Sequence, residues 1–217
     1  MFHTKCGYGL LGWRTCARDP WWEPYLPAFI DTGGMVSPMD YWRDLDTGPE
    51  TPEIIYAVIE SPKGTENKYE YDVKKKAIVL DRVLYSAVHF PGDYGFLPRT
   101  LDEDGDPLDI LVLVTTPTFP GCILTARPVG LLRMLDGDKR DDKILAVPNT
   151  DPRYSEYSDL DDLPEHILKE IAYLFETYKV LEGKQVKILG WDGAKAAKAV
   201  IVECQTLYQN TFKEKQT

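Results

Sequence analysis

Between residues 54 and 148 the chain is a succession of short, β-branched apolar stretches: "IIYAVIE" (54–60), "KYEYDV" (68–73), "AIVLDRVLY" (77–85), "LDILVLV" (108–114), "CILTARPVGLLRM" (122–134) and "KILAVP" (143–148). Turn signals such as "SPKG", "PGDYG", "DGDP" and "FPG" separate them, and "QVKILGW" (185–191) adds a later strand. So many short strands must hide their edges, so the expected arrangement is a closed or nearly closed barrel. Two helices come late. After "SDLDDLPEH", with Asp161 or Asp162 as cap and Pro164 in the first turn, Ile167, Leu168, Ile171, Leu174, Phe175 and Tyr178 form one apolar face that ends before Gly183. A second helix starts after "WDG" and carries Ala197, Val200, Ile201, Cys204, Leu207 and Tyr208 at similar spacing. Cys204 is thereby expected in the core rather than as a reactive thiol.

With 217 residues the chain has length for one sizeable core. The first 34 residues differ from the rest: they are rich in Trp, Pro and Gly, lack sustained periodicity, and balance three basic against three acidic side chains. We read 1–34 as a poorly ordered extension and 35–217 as a single domain. "YGLLGW" is too short for the apolar stretch of a secretory signal. "GYGLLG" (7–12) matches the spacing of a dinucleotide-binding loop, but only six residues precede it and Pro20 follows, so the strand and helix that loop requires have no place. No apolar run approaches the ~20 residues that span a bilayer.

The formal charge is −10, and all of it belongs to residues 35–217. That balance argues against nucleic acid as a partner, and an anionic substrate would have to arrive with metal ions. Cys6, Cys16, Cys122 and Cys204 have no CxxC spacing and no clustered histidines, which disfavours zinc. A reduced, cytoplasmic setting fits this cysteine usage best and weighs against a Cys6–Cys16 bridge.

Charge is densest in "DEDGDPLD", five carboxylates within eight residues at the mouth of a strand. Two carboxylates about 4 Å apart repel by ~4 kcal/mol at an effective dielectric near 20, so the cluster either splays into water or holds cations. Asp102, Asp104 and Asp106 fit the first positions of an EF-hand, but Pro107 and Leu113 stand where that loop needs Gly and Glu. A second cluster, "DGDKRDDK" (136–143), taken alone is read as a plain solvated loop. Together the two clusters offer oxygen-only ligands, which select hard ions such as Mg²⁺ or Mn²⁺. In a pleated segment Asp104 and Asp106 would share a face, and Asp109 interrupts an apolar run where an unpaired charge is costly. Lys68, on one strand face with Glu70 in "NKYEYD", Arg82 in "LDRVLY", and Lys179 beside Tyr178 in "ETYKVLEG" are the parts needed to hold a phosphate, although each taken singly reads as a surface salt bridge. The chain has no P-loop, no kinase signature and no nucleophile elbow. His3, His89 and His166 are scattered, and His166 is expected at the surface. Activation of water by metal remains as the chemistry.

These residues resemble the soluble family I inorganic pyrophosphatases of the compact prokaryotic type. "DGDPLDI" matches that family's D-x-D-P-x-D-apolar motif, and "IYAVIESPKG", "NKYEYD", "LDRVLYSAVHFPGDYGFLPRTL", "RPVGLLRMLDGDKRDDKILAVP" and "FETYK" follow in the family's order. The resemblance covers roughly residues 38 to 208. It implies a five-stranded OB-like closed barrel flanked by two C-terminal helices, and hydrolysis of pyrophosphate with several Mg²⁺ ions, Mn²⁺ being a possible substitute. By matched positions it implies Asp104, Asp109 and Asp141 as tight metal ligands, Asp136 with Asp141 for a metal arriving with substrate, and Glu60 and Glu70 as outer ligands. Lys68, Arg82, Tyr94, Lys143, Tyr178 and Lys179 resemble the substrate-binding set, and Asp106 the carboxylate that takes a proton from the attacking water. A homo-oligomer, a hexamer by preference, is implied as well. Phe90 stands where the family usually shows tyrosine, Asp93 where asparagine is frequent, with an expected extra charge near the site, and the leader has no counterpart. Two rivals stay open: a non-catalytic OB-type binding module, and a metal-dependent hydrolase of nucleotides or polyphosphates.

Overall fold

A computed structural model describes residues 38–213, and the extension, "GYGLLG", Cys6 and Cys16 lie outside the described residues. The described chain is mainly β with two late helices. The strands are β1 (Ile55–Ser61), β2 (Asn67–Asp72), β3 (Ala77–Val83), β4 (Asp93–Phe96), β5 (Asp109–Val112), β6 (Ile123–Asp136), β7 (Lys139–Arg140), β8 (Lys143–Pro148) and β9 (Val186–Gly193). The helices are α1 (Glu165–Thr177) and α2 (Ala194–Lys213). In the larger sheet β1 pairs with β4, β4 with β5, β5 with β8 and β8 with β6, and β6 pairs also with β1, β7 and β9. β2 and β3 form a separate hairpin.

Most pairings are antiparallel, but β5 runs parallel to β8 with Asp109 opposite Lys143 and Ile110 opposite Ile144. Alternation along these strands feeds two cores. Ile110, Val112, Ile144 and Ala146 join the cluster that Ala197, Val200, Ile201 and Cys204 of α2 complete. Leu111, Leu113, Leu145 and Val147 join Ile171, Leu174 and Phe175 of α1. Burial on both faces is why "LDILVLV" and "KILAVP" read as unbroken apolar runs. Cys204 is buried, as expected, and burial pushes its thiol up to about 12.

β4 has no counterpart among the strand-like stretches of the sequence, in which its "DYG" reads as turn. It is four residues long and holds Gly95, whose absent side chain is the condition for pairing: a Cβ there would stand 1.9 Å from the Val58 carbonyl oxygen of β1. β6 is 14 residues long and bends where Pro128 interrupts the ladder to β8, leaving Val129 as an extra residue.

The start of α1 also differs from expectation. Pro164 itself occupies the cap position, with no side-chain cap bond. Asp161 and Asp162 belong to a separate 3-10 turn, Leu160–Asp162, capped by Asp159, because Asp162 spends its carboxylate on Ser158 and on the Asp159 N–H. Asp159 also accepts from the Ala194 N–H at 2.8 Å and so anchors the start of α2. The far end of α1 runs through Tyr178 into a short 3-10 turn, Val180–Glu182, closed by Gly183 in the left-handed region.

Candidate active site

The parallel pairing of β5 with β8 sets two strand starts side by side at one end of the sheet, and this end is acidic. Asp109 opens β5 and Lys143 opens β8. The Lys143 ammonium, 3% exposed, bonds both to Oδ2 of Asp109 and to Oδ1 of Asp141. Burial opposes its charge, yet the two carboxylates outweigh burial and hold Lys143 above the ordinary lysine range. Tyr94, from β4, donates its hydroxyl to the same Oδ2 of Asp109 at 2.6 Å.

Around this centre lies a cleft of about 450 Å³. Every candidate site residue lines it except Arg82. Asp104 and Asp106 come from the loop before β5, and Asp136 and Asp141 from the two ends of the β6–β7 hairpin region. Glu60 belongs to β1, and Lys68 with Glu70 to β2. Tyr178 and Lys179 stand just past the end of α1. Lys179 Nζ reaches Asp136 Oδ2 at 2.6 Å and lies 5.1 Å from the centre of the Tyr178 ring. Lys68 and Glu70 bond to one another, as their shared strand face requires.

Three expectations need correction, and Arg82 stands apart from the cleft. Arg82 sits opposite Lys68 in the hairpin, but its guanidinium turns to Asp81 and to Glu182 beyond α1. The extra residue Asp81 in β3 bulges the ladder there and supplies that partner. Asp104 and Asp106 are not arranged by a pleat, because they lie in a turn in which Oδ1 of Asp104 accepts from the Asp106 N–H at 3.0 Å. "DGDKRDDK" is not a plain loop: it turns through Gly137 and Asp138 into the β6–β7 hairpin and delivers Asp136, Asp141 and Lys143 to the cleft. Asp93 adds no charge to the cleft, since alternation along β4 sends it to the opposite side from Tyr94. Fully buried, it accepts from the Lys63 N–H and from the N–H and hydroxyl of Thr118, and so ties two loops together. Phe90 is likewise outside the cleft lining; it stacks on the Tyr94 ring at 5.2 Å and supports it from behind.

Sequence reasoning passed over Lys139 and Arg140, which also line the cleft, and over Asp142, which is buried and bonded to Arg133. Their position inside "DGDKRDDK" was the available signal. His166 is exposed beside Glu170, as expected.

The donor set can be tested for divalent cations. Among the described residues no three of these carboxylates close on one point; Lys143 joins Asp109 and Asp141, and Lys179 takes Asp136 alone. The negative charge is nonetheless in excess. Burial first, and then Asp109, push Glu60 up to about 8. Burial, Asp104 and Asp109 likewise raise Asp106 above the ordinary carboxylate range. Crowded, oxygen-only carboxylates of this kind fit Mg²⁺ or Mn²⁺, and they lack the thiolate and imidazole ligands of ordinary zinc sites.

A cleft in which hard-cation ligands alternate with lysine and tyrosine donors defines a class: proteins that handle small polyvalent oxyanions together with divalent metals. The chain belongs to the inorganic pyrophosphatase family, whose family model matches residues 57–209. It is 53% identical to the inorganic pyrophosphatase of Haloferax volcanii over 175 residues, 80% of this chain and 99% of that one. It is 50% identical to that of Synechocystis over 168 residues, covering 76% and 99% of the two chains. Among solved structures, the inorganic pyrophosphatase of Thermus thermophilus superposes with a TM-score of 0.76 at 46% identity, over 79% of this chain and 99% of the other.

Proposed function

We propose that the chain is an inorganic pyrophosphatase that hydrolyses pyrophosphate to two orthophosphates with Mg²⁺. The observation that carries the reading is Lys143, whose ammonium joins Asp109 and Asp141, carboxylates from segments distant in sequence. These carboxylates meet within reach of one shared cation.

In this reading Asp104, Asp109 and Asp141 would hold the tightest ions, Asp136 with Asp141 would hold a further one, and Glu60 and Glu70 would serve as outer ligands. Mg²⁺, or Mn²⁺ in its place, acidifies water and offsets the charge of the diphosphate when bound. Asp106 accepts a proton from the water whose oxygen attacks one phosphorus, and the bridging P–O bond breaks with its electron pair leaving on the second phosphate. Lys68, Lys143, Lys179, Tyr94 and Tyr178 donate to phosphate oxygens and stabilise the charge that collects on the leaving group. Arg82 joins this set only by releasing Asp81 or Glu182.

The ring of pairings from β1 through β4, β5, β8 and β6 back to β1 supports the finer reading of a closed five-stranded OB-like barrel. Residues 35–217 are taken as one catalytic domain. Among the described residues no helix is long and apolar enough to cross a membrane. A cytoplasmic homo-oligomer, a hexamer by preference, is the working state we propose, and sedimentation of the purified chain tests its size.

Phosphate release from pyrophosphate, ATP and tripolyphosphate, each with Mg²⁺ and with chelator, tests the function. Release from pyrophosphate well above the other two, abolished by chelator, is expected. Equal rates on all three would favour a general polyphosphate hydrolase, and no release from any would leave a binding module.

A further inference from the structure

Lys68, Lys143 and Lys179 each pair with a carboxylate of the cleft, but Arg140, which also lines it, does not. Its guanidinium is turned behind the site, among Asp102, Glu103, Asp142 and Glu203. Nη2 donates to Oδ1 of Asp102 at 3.3 Å and lies 3.5 Å from Oε1 of Glu203 on α2. Nη1 is 4.0 Å from Glu103, and the buried Nε is 3.8 Å from Asp142.

Asp102 is the closing residue of the loop that carries Asp104 and Asp106. Its N–H donates to the Asp106 carbonyl at 2.8 Å and its carbonyl accepts from Gly105 at 3.1 Å. Only 5% exposed, it needs a counter-charge, and Arg140 supplies it. Arg140 itself sits in β7, opposite Leu135 and one residue before Asp141. The neighbouring Leu101 N–H donates to the Cys204 carbonyl, so α2 backs the same junction.

We propose that Arg140 is a positioning residue, a latch that fixes the Asp104–Asp106 loop against the hairpin bearing Asp136 and Asp141. Two acidic segments that repel each other are thereby held at one spacing from outside the cleft, without consuming a ligand oxygen. The planar fork suits this work, since one guanidinium faces carboxylates from three different segments. The inference rests on the metal-site reading above, and it adds a residue that the reading does not use.

Mn²⁺ binding followed by electron paramagnetic resonance, together with amide hydrogen exchange, tests the latch on the full chain. Arg140→Gln is expected to weaken Mn²⁺ binding about 10–100-fold, the usual loss when a residue orienting metal ligands is removed. It should also speed exchange selectively in 102–108 and 136–143, and its turnover should recover as Mg²⁺ is raised. Arg140→Lys should restore part of the affinity, Asp102→Asn should reproduce the defect, and the double variant should be no worse than the stronger single one. Wild-type Mn²⁺ affinity in Arg140→Gln, or faster exchange spread evenly over the chain with Asp102→Asn silent, would overturn the proposal. A wild-type chain that binds Mn²⁺ as expected yet releases no phosphate from pyrophosphate would sink the functional reading and leave the latch standing.

Discussion

The Tyr94 hydroxyl and the Asp109 carboxylate form a diagonal contact between neighbouring strands, 2.6 Å long, since the register partner of Tyr94 is Leu111. The Tyr94 ring is clamped by Phe90 at 5.2 Å and Phe175 at 5.9 Å, so the hydroxyl has one place to point. Tyr94→Phe keeps that packing and removes a bond to a charged acceptor, a loss of about 1.5–3 kcal/mol if nothing replaces it. Lys143 still holds Asp109, so the melting temperature should fall by no more than several degrees while phosphate release drops clearly. Melting and turnover measured on one preparation decide it, and unchanged turnover would remove Tyr94 from the substrate-binding set.

Asp106→Asn separates proton transfer from metal binding. The amide keeps the shape of the loop but cannot take a proton from water, so turnover is expected to fall by about 10²–10⁴-fold. Mg²⁺ affinity, read by calorimetry, should stay within a few-fold of wild type. Undiminished phosphate release would refute the assignment of Asp106 as base.

Glu60 makes the metal-free chain sensitive to pH. Burial, with help from Asp109, lifts its carboxyl from an ordinary 4.5 to about 8. Between those values the folded chain keeps a proton that the unfolded chain has lost, so the contribution of Glu60 to stability is greatest at low pH and declines as pH rises toward 8. Asp106 is shifted in the same direction. In chelator, the melting temperature of wild type should therefore decline relative to Glu60→Gln from about pH 5 to about pH 9. Gln still accepts the Tyr71 N–H that Glu60 accepts at 2.7 Å, so the comparison isolates the charge. Mg²⁺ added near neutral pH should release protons, detectable in buffers of different ionisation enthalpy. Parallel melting curves would show that Glu60 is ionised throughout.

Gly95→Ala should be far more damaging than its single methyl suggests. That methyl meets the Val58 carbonyl oxygen and carbon of the neighbouring strand, at 1.9 and 2.8 Å, and main chain on both sides cannot yield cheaply. A loss of about 4 kcal/mol or more is expected, visible in urea denaturation, with inactivity following from the loss of β4. A fully stable Gly95→Ala chain would mean that β4 pairs otherwise.

Particular residues show what was legible in the sequence. Strands such as 54–60 and 143–148 were plain because burial on two faces writes continuous apolar runs, and α1 because Ile171, Leu174, Phe175 and Tyr178 recur at helical spacing. β4 was hidden: four residues with a glycine look like a turn until their partner strands are known. The cleft was legible through "DGDPLDI" because one short segment brings Asp104, Asp106 and Asp109 to it. Asp93, Asp142 and Arg140 were not, because the partner that gives each its meaning, whether Thr118, Arg133 or Asp102, lies in a different segment. The partner of Arg82 was not legible for the same reason, since its ion pair with Glu182 depends on where the end of α1 falls.

The Asp109–Lys143 rung has a bearing on how this chain can change. A slip of one residue between β5 and β8 would break that rung and set the residues one strand turns to α1 beside those the other turns to α2. The charged rung and both hydrophobic cores are thus fixed by one and the same register. Neither can drift alone, so insertions should be tolerated in the turns that link these strands and purged within them.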